Sequence, residues 1–298
     1  MVKNSISRLA RAKINLDLLI TGRRKDGYHL LDSLVVFADY GDHISVTAAE
    51  KLTLSIRGPF AGGLTGEMNA EKNGKKDNLI LKAARGLQGQ FDIRRGAKIE
   101  LVKNLPVSSG IGGGSADAAA AIHALRELWH ISEEKSGLSE LCLSLGADVP
   151  VCMASETAQM SGVGERLSPV AIDFPLYLCL VNPGVGLSTA DIFAARAKNG
   201  AAFSSPRQLP ERISNQRQLV DILQASGNDL QDDAIAAQPE IKAVLAYIKG
   251  GDGCLFTGMS GSGATCFGIF STHQAADSRA DNIRDIFPDW WARAVCTA

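Results

Sequence analysis

Four glycines, Gly110, Gly112, Gly113 and Gly114, crowd into five positions of the stretch LPVSSGIGGGSADAAAA at residues 105–121. Clustered glycines let a backbone take positive φ and turn successive N–H groups inward, which makes a concave nest for an anion. Ser115 or Asp117 is placed to cap a helix running on through Ala118–Trp129, whose N-terminal partial charge would add at the same point. The chemistry such a loop offers is phosphate binding. The competing reading is a flexible turn ahead of an Ala-rich core helix, because glycine marks many turns that bind nothing. Two better-known glycine loops are absent. No Lys follows Gly114 to complete GxxxxGK[ST], and Ser115 stands where GxGxxG needs its third glycine.

Two other places carry groups able to move a proton. Lys13, Asn15 and Asp17 alternate with Ile14, Leu16 and Leu18, so an extended chain would put the three polar side chains on one sheet face, either as a working face or as the solvated face of an edge strand. In LGADVPVC, Pro150 argues that Asp148 lies in a non-helical turn entering an extended stretch. Burial there would desolvate its carboxylate and call for a cationic partner such as Lys, while exposure would leave an ordinary surface turn.

The positioning elements follow from local signals. Residues 7–37 read as two strands around the turn Arg23–Gly27, and Ile44–Val46, Leu52–Ile56 and Lys98–Val102 as further strands. Pro59–Lys76 is a Gly- and Lys-rich excursion, and Asp77-Asn78 opens a helix through Leu79, Ile80, Ala83 and Leu87. A second helix is expected from Ser132 to Gly146, with Leu138, Leu141 and Leu145 on its apolar side. The GVGE region near 155–170 is a place to divide the chain. LYLCLVNPGVGLSTADIF gives a strand, a Pro-Gly loop and a helix start at Ser188 or Thr189. Pro239–Lys249 reads as a helix, residues 250–270 as strand, second glycine loop and strand, and Thr272–Phe287 as a closing helix before Trp290 and Trp291.

Composition narrows the class. At 298 residues, 45% hydrophobic and 21% charged, the chain suits one large or two ordinary soluble domains. A formal net charge of −1 provides no global field for a nucleic acid or an anionic membrane. The six cysteines lack CxxC or Cys–His spacing and sit in apolar company, which suggests buried free thiols in a reducing cytoplasm. No secretory h-region or run of bilayer-spanning length is visible.

A Lys-bearing first strand, PVSSGIGGGSADAA in the middle and GMSGSGAT near the end together resemble the three motifs of the GHMP kinase superfamily. Within it, residues 12–33 and 145–152 are similar to members that phosphorylate a CDP-linked alcohol. The resemblance implies an α+β, two-domain fold, 1–157 and 158–298, with the active site in the interdomain cleft. It implies ATP as co-substrate with Mg²⁺, held along Pro106, Val107, Ser108, Ser109, Gly110, Ile111, Gly112, Gly113, Gly114, Ser115 and Ala116. No side chain is assigned as a direct metal ligand, and Ser115 is expected nearest the ion. Lys13 and Asp148 carry over as the catalytic pair, and Asn15, Tyr28, His29, Thr189 and Phe193 as acceptor contacts, the aromatics around the cytosine. Asn78 and Lys103 are candidates for the adenine, and Gly258–Gly263 for a buttress or phosphate contact. Ser108-Ser109 and Ala116 depart from the family's usual loop. The partner implied is a small molecule, with no nucleic acid and no membrane, acted on by a monomer or weak homodimer. Another acceptor, mevalonate-like or homoserine-like, is the nearest rival. A non-catalytic nucleotide sensor is a further one, but it would need the loop and not both Lys13 and Asp148.

Overall fold

The structure, a computed structural model, describes residues 5–62, 64, 78–132 and 137–297. It is a mixture of helices and sheets, and the Cα positions cluster into two compact units. One comprises Met1–Ala12, Tyr40–Val107 and Gly112–Ala154; the other comprises Lys13–Asp39, Ser108–Ile111 and Ser155–Ala298. The units are therefore not contiguous in sequence: residues 13–39 and 108–111 cluster with the C-terminal half.

The first 154 residues hold β1 (Ile6–Asn15), β2 (Leu19–Arg23), β3 (His29–Ala49), β4 (Thr53–Arg57), α1 (Leu79–Gln90), β5 (Gly96–Val102), α2 (Gly113–Trp129), α3 (Leu138–Leu145) and α4 (Val149–Ala154). In the first unit β5 pairs antiparallel with residues 43–49 of β3 and parallel with β4. Asn78 caps α1 by accepting the Ile80 N–H at 2.9 Å, and Ile80, Ala83 and Leu87 are buried at the expected spacing. Helix α2 is buried on most sides. Its small alanines, Ala116, Ala118, Ala119, Ala120, Ala121 and Ala124, let α1 and α4 pack closely against it.

Several expectations are corrected. Strand β1 ends at Asn15, so Asp17 lies beyond it, and Lys13, Asn15 and Asp17 are all buried rather than ranged along a solvated face. Neither Ser115 nor Asp117 caps α2; the cap is Gly112 in the left-handed region, and both residues lie inside the helix. Helix α3 starts after Gly137, not at Ser132, while Glu133 and Glu134 lie outside the described residues, as does most of the 59–76 excursion. Asp148 stands in a turn as expected, but that turn opens α4 instead of an extended stretch. Pro150 is tolerated there because the first turn of a helix leaves its amides without intrahelical acceptors.

The C-terminal half holds β6 (Ala158–Gly162), β7 (Arg166–Pro169), β8 (Ala171–Ile172), β9 (Tyr177–Asn182), α5 (Thr189–Lys198), β10 (Arg212–Ile213), α6 (Gln216–Ser226), α7 (Gln231–Ala237), α8 (Glu240–Lys249), β11 (Cys254–Met259), β12 (Cys266–Phe270), α9 (His273–Ile286) and β13 (Trp291–Cys296). In the second unit β3 residues 31–35 pair with β6, which turns through Val163–Glu165 into β7, so GVGE is a hairpin tip. An antiparallel sheet runs β11-β12-β9-β13, with α8 and α9 packed on it. Trp291 opens the strand β13 rather than merely finishing the core. The buried cluster beneath includes Leu18, Ile20, Val181, Ile192, Leu230, Val244, Ile248, Met259, Phe270 and Ile283. All six cysteines are free, and burial pushes the Cys179 thiol up to about 12. Among the described residues no helix is long and apolar enough to cross a membrane.

Candidate active site

The glycine loop takes left-handed turns at Gly110 (φ 76°) and Gly112 (φ 66°), as clustered glycines predict, and one more at the non-glycine Ser108 (φ 53°). Gly110 admits no side chain: a Cβ there would lie 2.4 Å from the Ser260 carbonyl oxygen and 2.7 Å from that of Gly263. The two glycine loops of the chain thus meet at backbone distance, further tied by Thr265 N–H to Ser109 C=O at 3.1 Å and Ser260 Oγ–H to Gly110 C=O at 3.0 Å. At the start of α2, Ala116 N–H makes the first intrahelical bond, to Gly112 C=O at 2.8 Å. The amides of Gly113, Gly114 and Ser115 precede it, at the positive end of the helix dipole. A Cβ on Gly114 would meet nothing within 4 Å, and Ser115 is half-buried. Pro106, Ser109, Ile111 and Ala116 are buried, and Val107 is half-buried, so their part in the loop is structural or through the backbone.

A buried ionic triad sits beside that helix start. Lys103 Nζ lies 2.5 Å from Asp42 Oδ2 and 2.7 Å from Asp117 Oδ2, and all three side chains are nearly inaccessible. Asp42 Oδ1 accepts the N–H groups of Asn104 at 2.6 Å and Leu105 at 2.8 Å, fixing the approach to the loop. A Cβ on Gly113 would stand 3.1 Å from Lys103 Nζ. Burial pushes the Asp117 carboxyl up to about 8, opposed by Lys103 and assisted by the charge of Asp42. Lys103 Nζ is therefore engaged by Asp42 and Asp117, and Asn78 Oδ1 by the Ile80 N–H that it caps.

Lys13 is 3% exposed near the end of β1, and its N–H donates to Ile111 C=O at 3.0 Å. Asp148 is half-buried; its carbonyl accepts Cys152 N–H at 3.1 Å, which starts α4. The two residues fall in different units.

The second unit gathers several of the expected acceptor contacts. His29 stacks on Phe193 with ring centroids 4.7 Å apart and planes 29° from parallel. Desolvation, with Arg23 and Arg196 nearby, lowers the His29 pKa, so the imidazole is neutral at pH 7. Thr189 Oγ1 is 2.8 Å from Ser262 Oγ. Asn15 Nδ2–H donates to Ser33 Oγ at 2.7 Å, and its N–H to Ser260 Oγ at 3.0 Å. Tyr28 is 63% exposed after the β2–β3 turn. The flat, uncharged faces of His29 and Phe193 suit a heteroaromatic ring, and Thr189, Ser262 and Asn15 offer hydroxyl and amide groups to a polyol. Ser33 escaped the sequence reading, and Ser260 and Ser262 fell within the expected Gly258–Gly263 buttress without being singled out, although two serines spaced by one glycine inside GMSGSGAT were a usable signal. Among the described residues no three His, Cys, Asp or Glu side chains converge as a metal site.

Comparison with known proteins places this geometry. Residues 78–156 match the GHMP kinases N terminal domain and residues 207–289 the GHMP kinases C terminal domain. The 4-diphosphocytidyl-2-C-methyl-D-erythritol kinase of Parvibaculum lavamentivorans is 45% identical over 289 residues, 96% of each chain, and that of Cereibacter sphaeroides is 47% identical over 283 residues, 95% of each. A crystal structure of 4-(cytidine 5'-diphospho)-2C-methyl-D-erythritol kinase superposes with a TM-score of 0.76 at 29% identity, covering 98% of this chain and 100% of that one. L. major mevalonate kinase shares the fold alone, at 14% identity and a TM-score of 0.63 over 99% of this chain and 97% of that one. With its relatives matching end to end at such identity, the chain belongs to the GHMP kinase family, among the 4-diphosphocytidyl-2-C-methyl-D-erythritol kinases.

Proposed function

We propose that this enzyme transfers the γ-phosphoryl group of ATP to a hydroxyl of 4-diphosphocytidyl-2-C-methyl-D-erythritol, giving the 2-phosphate on the route to isoprenoid precursors. The observation that carries the reading is identity of 45% and 47% over nearly the whole chain to kinases bearing that name. The family's N- and C-terminal parts are taken as residues 1–157 and 158–298, in a cytoplasmic monomer or weak homodimer.

Each role follows from the chemistry the residue can perform. An alcohol is a poor nucleophile, so Asp148 takes the hydroxyl proton as general base while the Lys13 ammonium steadies the attacking oxygen and the transferring phosphoryl oxygens. Phosphoryl transfer has a loose transition state with charge spread over the oxygens, so positioning and fixed dipoles supply most of the catalysis. Residues 106–116 hold the phosphates, with the amides of Gly113, Gly114 and Ser115 at the helix start as the principal donors. The Ser115 hydroxyl, an oxygen donor suited to a hard cation that needs few protein ligands, would lie nearest a Mg²⁺ accompanying ATP, which when bound would offset phosphate charge. His29 and Phe193 receive the cytosine face, with the exposed Tyr28 next in sequence to His29, and Asn15 and Thr189 hold the polyol.

Coupled ADP release with Mg·ATP and the CDP-linked alcohol, with mevalonate and homoserine as controls, tests the reading. Turnover with the CDP-linked alcohol alone supports it. Turnover with a control instead moves the acceptor class and leaves the kinase chemistry standing, and turnover with none of the three returns the chain to a nucleotide sensor.

A further inference from the structure

Arg207 lies in the irregular segment between α5 and β10, yet its side chain is mostly buried, at 18% exposure. Its Nη2 forms an ion pair with Asp17 Oδ2 at 2.6 Å, Nε donates to Asp32 Oδ1 at 3.3 Å, and the backbone N–H donates to Asp32 Oδ2 at 3.1 Å. Gln159 locks the arrangement: its Nε2 donates to both Asp32 oxygens at 3.0 Å and to Arg207 C=O at 2.9 Å, and its Oε1 accepts Leu209 N–H at 3.1 Å. Two carboxylates exposed by 0% and 4% are held by one guanidinium.

What the clamp holds is more informative than the clamp. Asp17 Oδ1 accepts Leu34 N–H at 2.8 Å, and Asp17 C=O accepts the Ser33 hydroxyl proton at 2.6 Å. With its one proton spent, Ser33 Oγ can only accept from Asn15 Nδ2, at 2.7 Å. That bond fixes which way round the Asn15 amide sits and presents Oδ1 as the acceptor for a ligand hydroxyl. Backbone bonds fix Leu16 (N–H to Leu34 C=O, 2.8 Å) and Leu18 (N–H to Gly227 C=O, 3.0 Å) on either side, and the clamp holds the Asp17 side chain between them.

We propose that Arg207 is a positioning residue for the alcohol acceptor, acting through Asp17 and Ser33 to orient the Asn15 amide. The proposal rests on Asn15 as an acceptor contact. Steady-state kinetics on the full-length Arg207→Gln, Ser33→Ala and double variants separate positioning from mere support. Arg207→Gln and Ser33→Ala are each expected to raise the acceptor KM by about tenfold, the loss of one oriented hydrogen bond, with the ATP KM within about twofold. The double variant should be no worse than either single one, because both act on one amide. Multiplying effects, or an equal rise in the ATP KM, would show that Arg207 serves the fold alone. Should Arg207→Gln fail to fold, the same cycle with Arg207→Lys keeps the charge and loses the fork, and the same outcomes decide it. Asn15→Ala distinguishes the failures: an unchanged acceptor KM there removes the underlying reading, whereas a large rise with no effect at Arg207 removes only this proposal.

Discussion

A base that acts on the acceptor hydroxyl is needed in the transition state and not for nucleotide binding, and Asp148 immediately precedes the short helix α4. Asp148→Ala is therefore expected to lower kcat by about three orders of magnitude or more while the ATP KM stays within a few-fold, measured by coupled ADP release. Near-normal turnover in that variant would mean that another group takes the proton. The turn at Asp148 was legible from Pro150, and Lys13 stood out as one of three polar side chains alternating with apolar ones, whereas their pairing in catalysis came from the resemblance alone. The burial of Lys13, Asn15 and Asp17 was not legible: period-two alternation looks the same for a solvated face as for a polar face packed under other chain segments. The partners that made the difference for Asn15 and Asp17, Ser260 and Arg207, stand far along the chain.

At the scale of elements, the first turn of α2 and the loop before it separate two kinds of glycine. Gly110 has φ 76° and backbone oxygens where a Cβ would go, whereas Gly114 has open space. Gly110→Ala is expected to weaken ATP binding and lower the melting temperature together. Gly114→Ala should raise the melting temperature, since alanine favours a helix over glycine by up to ~1 kcal/mol, and still weaken ATP binding by filling the space above the helix amides. ATP affinity unchanged in Gly114→Ala would place the phosphates elsewhere. The triad makes a pH prediction for the same helix. The Asp117 carboxyl ionises near 3.8 when unfolded and at about 8 when folded, so between those values the folded chain holds a proton that the unfolded chain has released. Its stabilising contribution is full below about 4 and is lost as pH rises to about 8. Urea unfolding of wild type against Asp117→Asn should show the wild-type advantage shrinking across that window, by up to ~1.4 kcal/mol per pH unit. A constant difference would mean that Asp117 is ionised throughout. Helices α1, α5 and α9 were readable because Asn78, Ser188 and Thr272 cap them locally. The role of Asp117 was not, because it depends on Lys103 and Asp42 meeting it from other elements.

For the whole molecule, the order of the three motifs was worth more than any one of them, and it led to the family that relatives along the full chain display. Since the proposed metal comes with the nucleotide, EDTA should abolish turnover yet leave the melting temperature of the nucleotide-free protein unchanged, by differential scanning fluorimetry. A drop without nucleotide would reveal a structural ion. The interleaving of the two units has a consequence for synthesis on the ribosome. Asn15 is bonded to Ser260, 245 positions further on, and β3 to a hairpin that begins at Ala158. At translation speeds of about 5–20 residues per second, the N-terminal segment waits on the order of 10–50 s for its last partner to emerge. The apolar run Leu34–Phe37, among the most buried residues of the folded protein, is thus a nascent-chain segment that must be kept from self-association at least until β6, the strand paired with Leu34 and Val35, has emerged.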